Sequence, residues 1–334
     1  MSADVVVQRL FPVEDLRVLV LRLQQDAQVK VGESPDAQVH VRVDPVRYPQ
    51  TQVVVSMQRN QGRGDLFVSW REQAHESAAR PRDEAGSVPG VPPPTVSLLV
   101  PSALRTVSVE SRGGDISLEQ VPCERLSVYT ARGAVQIRAT SGFFIGATGR
   151  GDVCILGLAG EGVVTTGSGQ VFAEQCSGLL RLHSGEGDIL LRRFEGSRLS
   201  LRSGRGVISL DQVRADCVGV EVGVGALRLS DVSTSSLQAK VETGECLVAA
   251  ELRPGEHSLT LQRGQVTLEI PSGTPLRFDL ATGAGEIVCA LPGVPVGRRG
   301  RPSPRGKRLV GRQGDGTVSL TVSVGRGDVT LRGR

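Results

Sequence analysis

Gly187-Asp188-Ile189-Leu190-Leu191 opens a stretch that runs through Leu199-Ser200-Leu201 to Gly206-Val207-Ile208-Ser209-Leu210, where the same pattern starts again. Each glycine is followed two and four places later by an apolar residue: Ile189 and Leu191 after Gly187, Ile208 and Leu210 after Gly206. Apolar side chains at every second position mark a strand with one face buried. Leu199 and Leu201 repeat the alternation before the next glycine, so one unit reads as strand, glycine turn, strand and polar connector. Glycine suits the turn because it reaches positive φ without a Cβ clash.

Outward from this stretch the glycine recurs every eighteen to twenty-one residues, at Gly114, Gly133, Gly151, Gly169, Gly187, Gly206, Gly225, Gly244, Gly264 and Gly285. Self-similarity at a fixed period signals a repeat architecture in which each unit buries its apolar face only against its neighbours. No stretch carries an uninterrupted apolar period of a helix. The expected fold is therefore all-β, a parallel β-solenoid (right-handed β-helix) of about ten coils, with coils about 4.8 Å apart and a rod on the order of 45 Å long. A β-prism or propeller is the runner-up, but four-stranded blades need roughly forty residues, about twice this period.

Composition sets the boundaries. Residues 1–72 are β-rich, with alternation such as Gln38-Val39-His40-Val41-Arg42-Val43, and read as N-terminal coils and cap. Residues 73–95, ending in Pro92-Pro93-Pro94, are rich in Pro, Ala, Glu, Ser and Arg and are expected to be a disordered linker or loop. The repeats occupy 96–290. Residues 291–308 are expected to be a disordered basic insertion, and 309–334 a closing coil and C-terminal cap. There is no run of eighteen apolar residues to span a membrane and no secretory layout at the start, so an intracellular, cytoplasmic protein is expected.

Several motifs suggest chemistry, and each has a plainer reading. Six cysteines are present, but none has the spacing of a metal site, and Cys246 and Cys289 fall on inward ladders as small apolar fillers. Arg-Gly-Asp occurs at Arg63-Gly64-Asp65, Arg150-Gly151-Asp152 and Arg326-Gly327-Asp328, which reads as the glycine corner with common flanking residues rather than as an adhesion motif. The residue after the glycine is Asp115, Ala134, Asp152, Gln170, Asp188, Val207, Ala226, Glu245, Gln265 and Glu286. No two neighbours in that series are both acidic, the opposite of a calcium ladder. Glycine-rich corners lack the helix and the Lys-Ser/Thr of a phosphate loop. The four histidines, His40, His75, His183 and His257, are scattered away from any nucleophile and acid. His257 stands where other coils place an apolar residue, but its coil is one residue longer, and a register shift to Leu259 explains it. No catalytic residue, metal ligand or cofactor is expected.

One segment exceeds what the fold requires. Arg298, Arg299, Arg301, Arg305, Lys307 and Arg308 come without an acid, and removing them takes the formal net charge from +4 to −2. The bland reading is a solvated insertion in an Arg-rich chain. The sharper one is a handle for a polyanion such as nucleic acid or anionic lipid, non-specific because aromatics are not interleaved.

The glycine-punctuated ladders from Pro101 to Leu331 resemble the putative-adhesin β-solenoid families of unknown function, including those with head-type GIN domains. Val43-Asp44-Pro45-Val46-Arg47-Tyr48-Pro49 and Asp315-Gly316-Thr317-Val318-Ser319-Leu320 are similar to the uncharacterised eukaryotic family with sequence similarity 185. That resemblance implies no catalytic residues and implies a mitochondrial location for animal members. The expected function is a non-enzymatic scaffold or protein-interaction surface with a protein partner. A polyanion-binding module through 298–308 is the first alternative, and a β-helix carbohydrate-active enzyme the second.

Overall fold

The computed structural model describes residues 7–13, 16–23, 25–44, 51–72, 94–291, 301–303 and 306–334. Every regular element among them is a strand, most strand pairs are parallel, and the chain divides into two compact units, Met1–Gly167 and Ser168–Arg334. The expected linker lies outside the described residues up to Pro93, as do His75, Tyr48 and most of the Asp44–Pro49 run.

In the first unit, β1 (Val7–Pro12), β2 (Val18–Leu23), β3 (Gln28–Glu33), β4 (Gln38–Asp44), β5 (Thr51–Asn60), β6 (Arg63–Glu72) and β7 (Thr95–Val100) precede the regular repeats. Then come β8 (Thr106–Ser111), β9 (Ile116–Glu119), β10 (Arg125–Arg132), β11 (Val135–Arg150) and β12 (Val153–Ser168). The coil made by β2 and β3 lies between two others, with β2 paired in parallel to β6 and β8, and β3 to β7 and β9. Antiparallel strands cover the outer coil: β5 on β6, β4 on β7, and β1 on β4. The alternation of Val39, Val41 and Val43 puts all three in the core.

The second unit contains β13 (Val171–Glu186), β14 (Ile189–Arg205), β15 (Ile208–Leu252), β16 (Gly255–Ile270), β17 (Leu276–Ala284), β18 (Ile287–Ala290), β19 (Arg301–Ser303), β20 (Gly306–Arg312), β21 (Val318–Arg326) and β22 (Val329–Gly333). Val171 pairs with Ile189, Ile189 with Ile208, and Leu237 with His257, so the partner lies 18, 19 or 20 residues on. Like residues thus stack into ladders, with Leu199, Leu201, Val218, Val220 and Leu237 all buried. Each such side chain contributes roughly 1.5–3 kcal/mol of burial.

The far end departs from chain order. The expected closing coil is not outermost: β21 lies between β16 and β17, and β22 between β16 and β18. The outer coil is instead covered by β20, antiparallel on β17, with β19 antiparallel on β20. The stretch expected to be disordered over 291–308 therefore contains strand from Arg301 to Ser303 and from Gly306 onward. Gly311 permits the close cover, because a Cβ there would run into the ring of Phe278. An outermost parallel strand presents an unpaired backbone edge, and an antiparallel strand laid on it satisfies that edge.

The glycine corners behave as the spacing predicts. Gly187 has φ of 145°, and a Cβ on it would collide with the carbonyl oxygen of Gly169 on the neighbouring coil. Each of several coils has a second corner, which the glycine spacing does not mark. Six residues after the glycine, Gln120, Ala139, Gln175, Arg193, Gln212 and Asp231 hold φ of 48–56°. The left-handed region is rare for such residues. Arg63-Gly64-Asp65 is not a corner at all, since Gly64 pairs with Leu19 inside β6 and the turn is at Gln61-Gly62.

Candidate functional site

The inward polar residues hold the coils together. Three places before the corner glycine stand Ser111, Thr130, Thr148 and Thr166 in the first unit, and Ser184, Ser203 and Thr282 in the second, all buried. Ser111 and Thr130 donate within their own coil, to the carbonyls of Gly113 and Arg132, and the other five reach the adjacent coil. Thr148 donates to the Gly133 carbonyl at 3.1 Å and Thr166 to Gly151 at 3.0 Å. Ser184 donates to Gly169 at 3.1 Å, Ser203 to Gly187 at 3.0 Å, and Thr282 to Gly327 at 2.7 Å. Each of these five hydroxyls satisfies a corner carbonyl of the adjacent coil, as buried polar groups require. The glycine and apolar periods do not reveal this ladder, whose signal in the sequence is Ser and Thr recurring at one inward position.

Three of the acids after the glycine act in the same way. Asp115 Oδ1 accepts the Ala134 N–H at 2.8 Å, Asp188 Oδ1 that of Val207 at 2.7 Å, and Asp328 Oδ1 that of Glu286 at 2.8 Å. The inserted coil makes Asp328 and Glu286 neighbours, so the alternation of acidic and non-acidic coils fails there. Lys307 forms an ion pair with Glu286 and compensates the second charge.

Of the six cations singled out, Arg298, Arg299 and Arg305 lie outside the described residues, as does the side chain of Arg301, whose backbone pairs with Arg308. Arg308 Nε donates to Asp279 Oδ1 at 2.8 Å, and Nη2 donates to Oδ2. That hydrogen bonding lowers the Asp279 carboxyl from its ordinary value and raises the guanidinium. Lys307 and Arg308 are thus engaged with acids of the outer coil rather than projecting as bare charge.

The cysteines that the spacing places inward, Cys246 and Cys289, are buried. Burial pushes the Cys246 thiol up to about 12 and raises that of Cys289, so neither is a ready thiolate. Cys123 is raised to about 11, again by burial. Among the described residues no group of three or more His, Cys, Asp or Glu is arranged to hold a metal. His257 keeps its own place in the ladder, without the register shift to Leu259. It pairs with Leu237, stands in the inward column and is 2% exposed.

The outward face of β14–β16 carries a depression of about 630 Å³. Two columns of side chains line it on successive coils: Ser200, Gly219, Gln238 and Ser258 in one, Arg202, Glu221, Lys240 and Thr260 in the other. Strand register aligns them, with Ser200 opposite Gly219, Arg202 opposite Glu221, Gln238 opposite Ser258 and Lys240 opposite Thr260. Gly219 has no side chain, which deepens the centre of the first column. Arg202 Nε lies 3.6 Å from Glu221 Oε2, so charge alternates along the second column. The face is polar, open and held on paired backbone, which suits contact with an extended polar surface.

None of the curated proteins matches the sequence. Among solved structures, the chain is similar to a "putative cell adhesion protein" from Clostridium sporogenes, at 8% identity over 98% of this chain and 99% of that one, with a TM-score of 0.21. It is similar to a "putative lipid binding protein" from Parabacteroides distasonis at 10% identity over 97% and 96%, with a TM-score of 0.37. A "putative adhesin" from Parabacteroides merdae shares 10% identity over 79% and 92%, with a TM-score of 0.22. Residues 164–332, just over half of the chain and almost all of its second unit, match one family description. The chain belongs to the Toastrack DUF4097 family.

Proposed function

We propose that this protein is a non-enzymatic β-solenoid scaffold whose second unit presents the β14–β16 face to a protein partner. The observation that carries the reading is the pair of aligned columns from Ser200 to Ser258 and from Arg202 to Thr260. They offer hydrogen-bonding and alternating charged groups on a backbone that cannot easily rearrange, which favours recognition of a polar, extended partner surface. The inward hydroxyls and the corner acids support the non-enzymatic part, because they are committed to backbone partners between coils. The finer architecture belongs to the same proposal: a right-handed helix of about ten coils, nearest to the family with sequence similarity 185 on the Val43–Pro49 and Asp315–Leu320 runs. An intracellular location goes with it.

A photo-crosslinking residue at Gln238 in the full chain tests the reading. A discrete crosslinked partner that disappears with Gly219→Trp, and that a crosslinker at Gln212 does not capture, supports it. Equal labelling from Gln238 and Gln212 counts against a dedicated face. Turnover of a polysaccharide by the purified chain would overturn the non-enzymatic assignment.

A further inference from the structure

The inward column seven places before the corner glycine runs Leu180, Leu199, Val218 and Leu237, and then His257. On the other side of His257 stands Leu320 of β21. An imidazole in an apolar column needs a reason, since leucine serves at neighbouring levels. The reason lies in the one extra residue of this coil, which enters at Arg253-Pro254-Gly255. The Leu237 N–H donates to His257 Nδ1 at 3.2 Å, and His257 Nε2 faces the Arg253 carbonyl at 3.0 Å. A backbone amide can only donate and a carbonyl can only accept, so the proton sits on Nε2 and the ring is neutral.

The same junction ties several coils together. The Arg253 N–H donates to the Thr234 carbonyl at 2.8 Å, and its guanidinium reaches the Ala215 carbonyl at 2.7 Å and Asp216 Oδ1 at 3.4 Å. Gly255 N–H faces the Thr317 carbonyl at 3.4 Å, where the inserted coil begins. The charged groups around His257 are few. The junction supplies Arg253, β15 supplies Asp216, already engaged by Arg253, and Glu256 on β16 is exposed. β21 presents Leu320 and Val322 inward and carries no charged residue from Val318 to Val324. Among the described residues the ring's hydrogen-bond partners are both backbone groups, and no carboxylate pairs with it.

We propose that His257 is an acid-sensitive latch on the seam between β15 and β16, closed by the neutral ring and opened when Nδ1 takes a proton. The protonated ring turns an N–H toward the Leu237 N–H and loses its only role as acceptor. The seam then loosens locally, exposing the β15 edge and the β16–β21 side to solvent. Burial lowers the histidine from its ordinary 6.5. A depressed folded value means that the stabilisation is complete above about pH 6.5 and is lost as the pH falls through the folded value.

Hydrogen exchange of the full chain, corrected for the intrinsic pH dependence of exchange, reads this directly. Between pH 7.5 and pH 5, protection at Leu237 and along β16 should fall by up to about tenfold for each pH unit below 6.5, while β13 and β14 keep theirs. His257→Gln, which can accept and donate but does not titrate in this range, should keep seam protection flat over the same interval. Unchanged wild-type protection, or equal pH dependence in His257→Gln, overturns the latch. If His257→Gln fails to fold, the imidazole nitrogen shifts of the wild-type chain decide. A midpoint below 6.5 with a proton on Nε2 at neutral pH supports the proposal, and a midpoint at or above 6.5 sinks it.

Discussion

Two stretches of the second unit close the same glycine corner in different ways. At Gly187 and Gly206 the chain places a serine three residues earlier, and the hydroxyls of Ser184 and Ser203 cap the carbonyls of Gly169 and Gly187. At Gly225, Gly244 and Gly264 that position holds Val222, Val241 and Leu261, all apolar. There the backbone ladder runs through the corner, with Thr243 opposite Arg263, Gly244 opposite Gly264, and Glu245 opposite Gln265. The glycines also approach closer: a Cβ on Gly244 would strike the Gly225 carbonyl harder than one on Gly187 would strike Gly169. A corner carbonyl can be satisfied by a side chain or turned toward the next coil, and the residue three places upstream accompanies the difference. The apolar version extends the core, while the hydroxyl version exchanges core for a directed bond.

Glycine replacement should break the comparison hardest. Gly244→Val and Gly187→Val both force a β-branched residue into positive φ against a neighbouring carbonyl, costing more than about 2 kcal/mol. Gly244→Val should be the worse of the two. Urea unfolding ranks them, and equal midpoints would show that the closer approach has no energetic meaning.

Next in size comes the exchange of corner types. Ser203→Ala leaves the Gly187 carbonyl without its cap and should cost about 1 kcal/mol. Val241→Thr puts a hydroxyl where Gly225 already faces Gly244, so it should cost at least about 1 kcal/mol as a buried group short of a partner. A neutral Val241→Thr in thermal unfolding would mean that the two corners interconvert freely.

The left-handed corner six residues after the glycine, formed by Arg193 and Gln212 in the first stretch and by Asp231 alone, after Gly225, in the second, sharpens the contrast by moving the other way. Gln212→Gly relieves an unfavourable φ and should stabilise the fold by about 0.5–1 kcal/mol, less whatever the freer unfolded chain takes back. A loss of stability there would assign Gln212 a contact that outweighs its strain.

The smallest effect belongs to the cationic hairpin. Arg308→Gln should change melting little near neutral pH, because exposed pairs contribute little. It should remove an acid-side dependence, since the depressed Asp279 value gives stability that is present above 3.8 and lost as pH falls through the folded value. If 298–308 serves a polyanion, neutralising Arg298, Arg299, Arg301 and Arg305 should abolish salt-sensitive binding to RNA or anionic vesicles, and Arg308→Gln should not. No binding by the wild-type chain at about 50 mM salt removes the polyanion reading.

The strand pairs and corner glycines were legible because period-two burial and positive φ both restrict residue choice. Ile189, Leu191, Leu199 and Leu201 announce their faces, and Gly187 announces its turn. The second corner was not legible, because Gln120, Arg193 and Asp231 tolerate the left-handed region without being specific to it. Coil order at the ends was hidden for another reason. Parallel register between interchangeable repeats is degenerate, so nothing in β21 states that it stacks on β16 rather than beyond β18. The candidate face was readable only in part. Arg202, Glu221 and Lys240 are visible as outward residues, but their alignment needs coil lengths counted without error. His257 lies inward where the count back from Gly264 puts it, and the shift to Leu259 is not needed.

The place of β21 and β22 also bears on the order in which the unit can be completed during synthesis. In the first unit the sandwiched coil, β2 and β3, is made before both of its neighbours, so later strands need only add to its two sides. In the second unit the sandwiched coil is made after β17–β20, and its neighbours lie 63 and 42 residues back along the chain. Until it leaves the ribosome, β16 and β17 each have an open edge, and the two must stay apart or separate again for it to enter. Such late, long-range closure is slow and leaves paired-strand templates exposed to other chains. A nascent chain stalled before Val318 would therefore hold β17 already capped by β20 on one side, with its other side and that of β16 still waiting for β21.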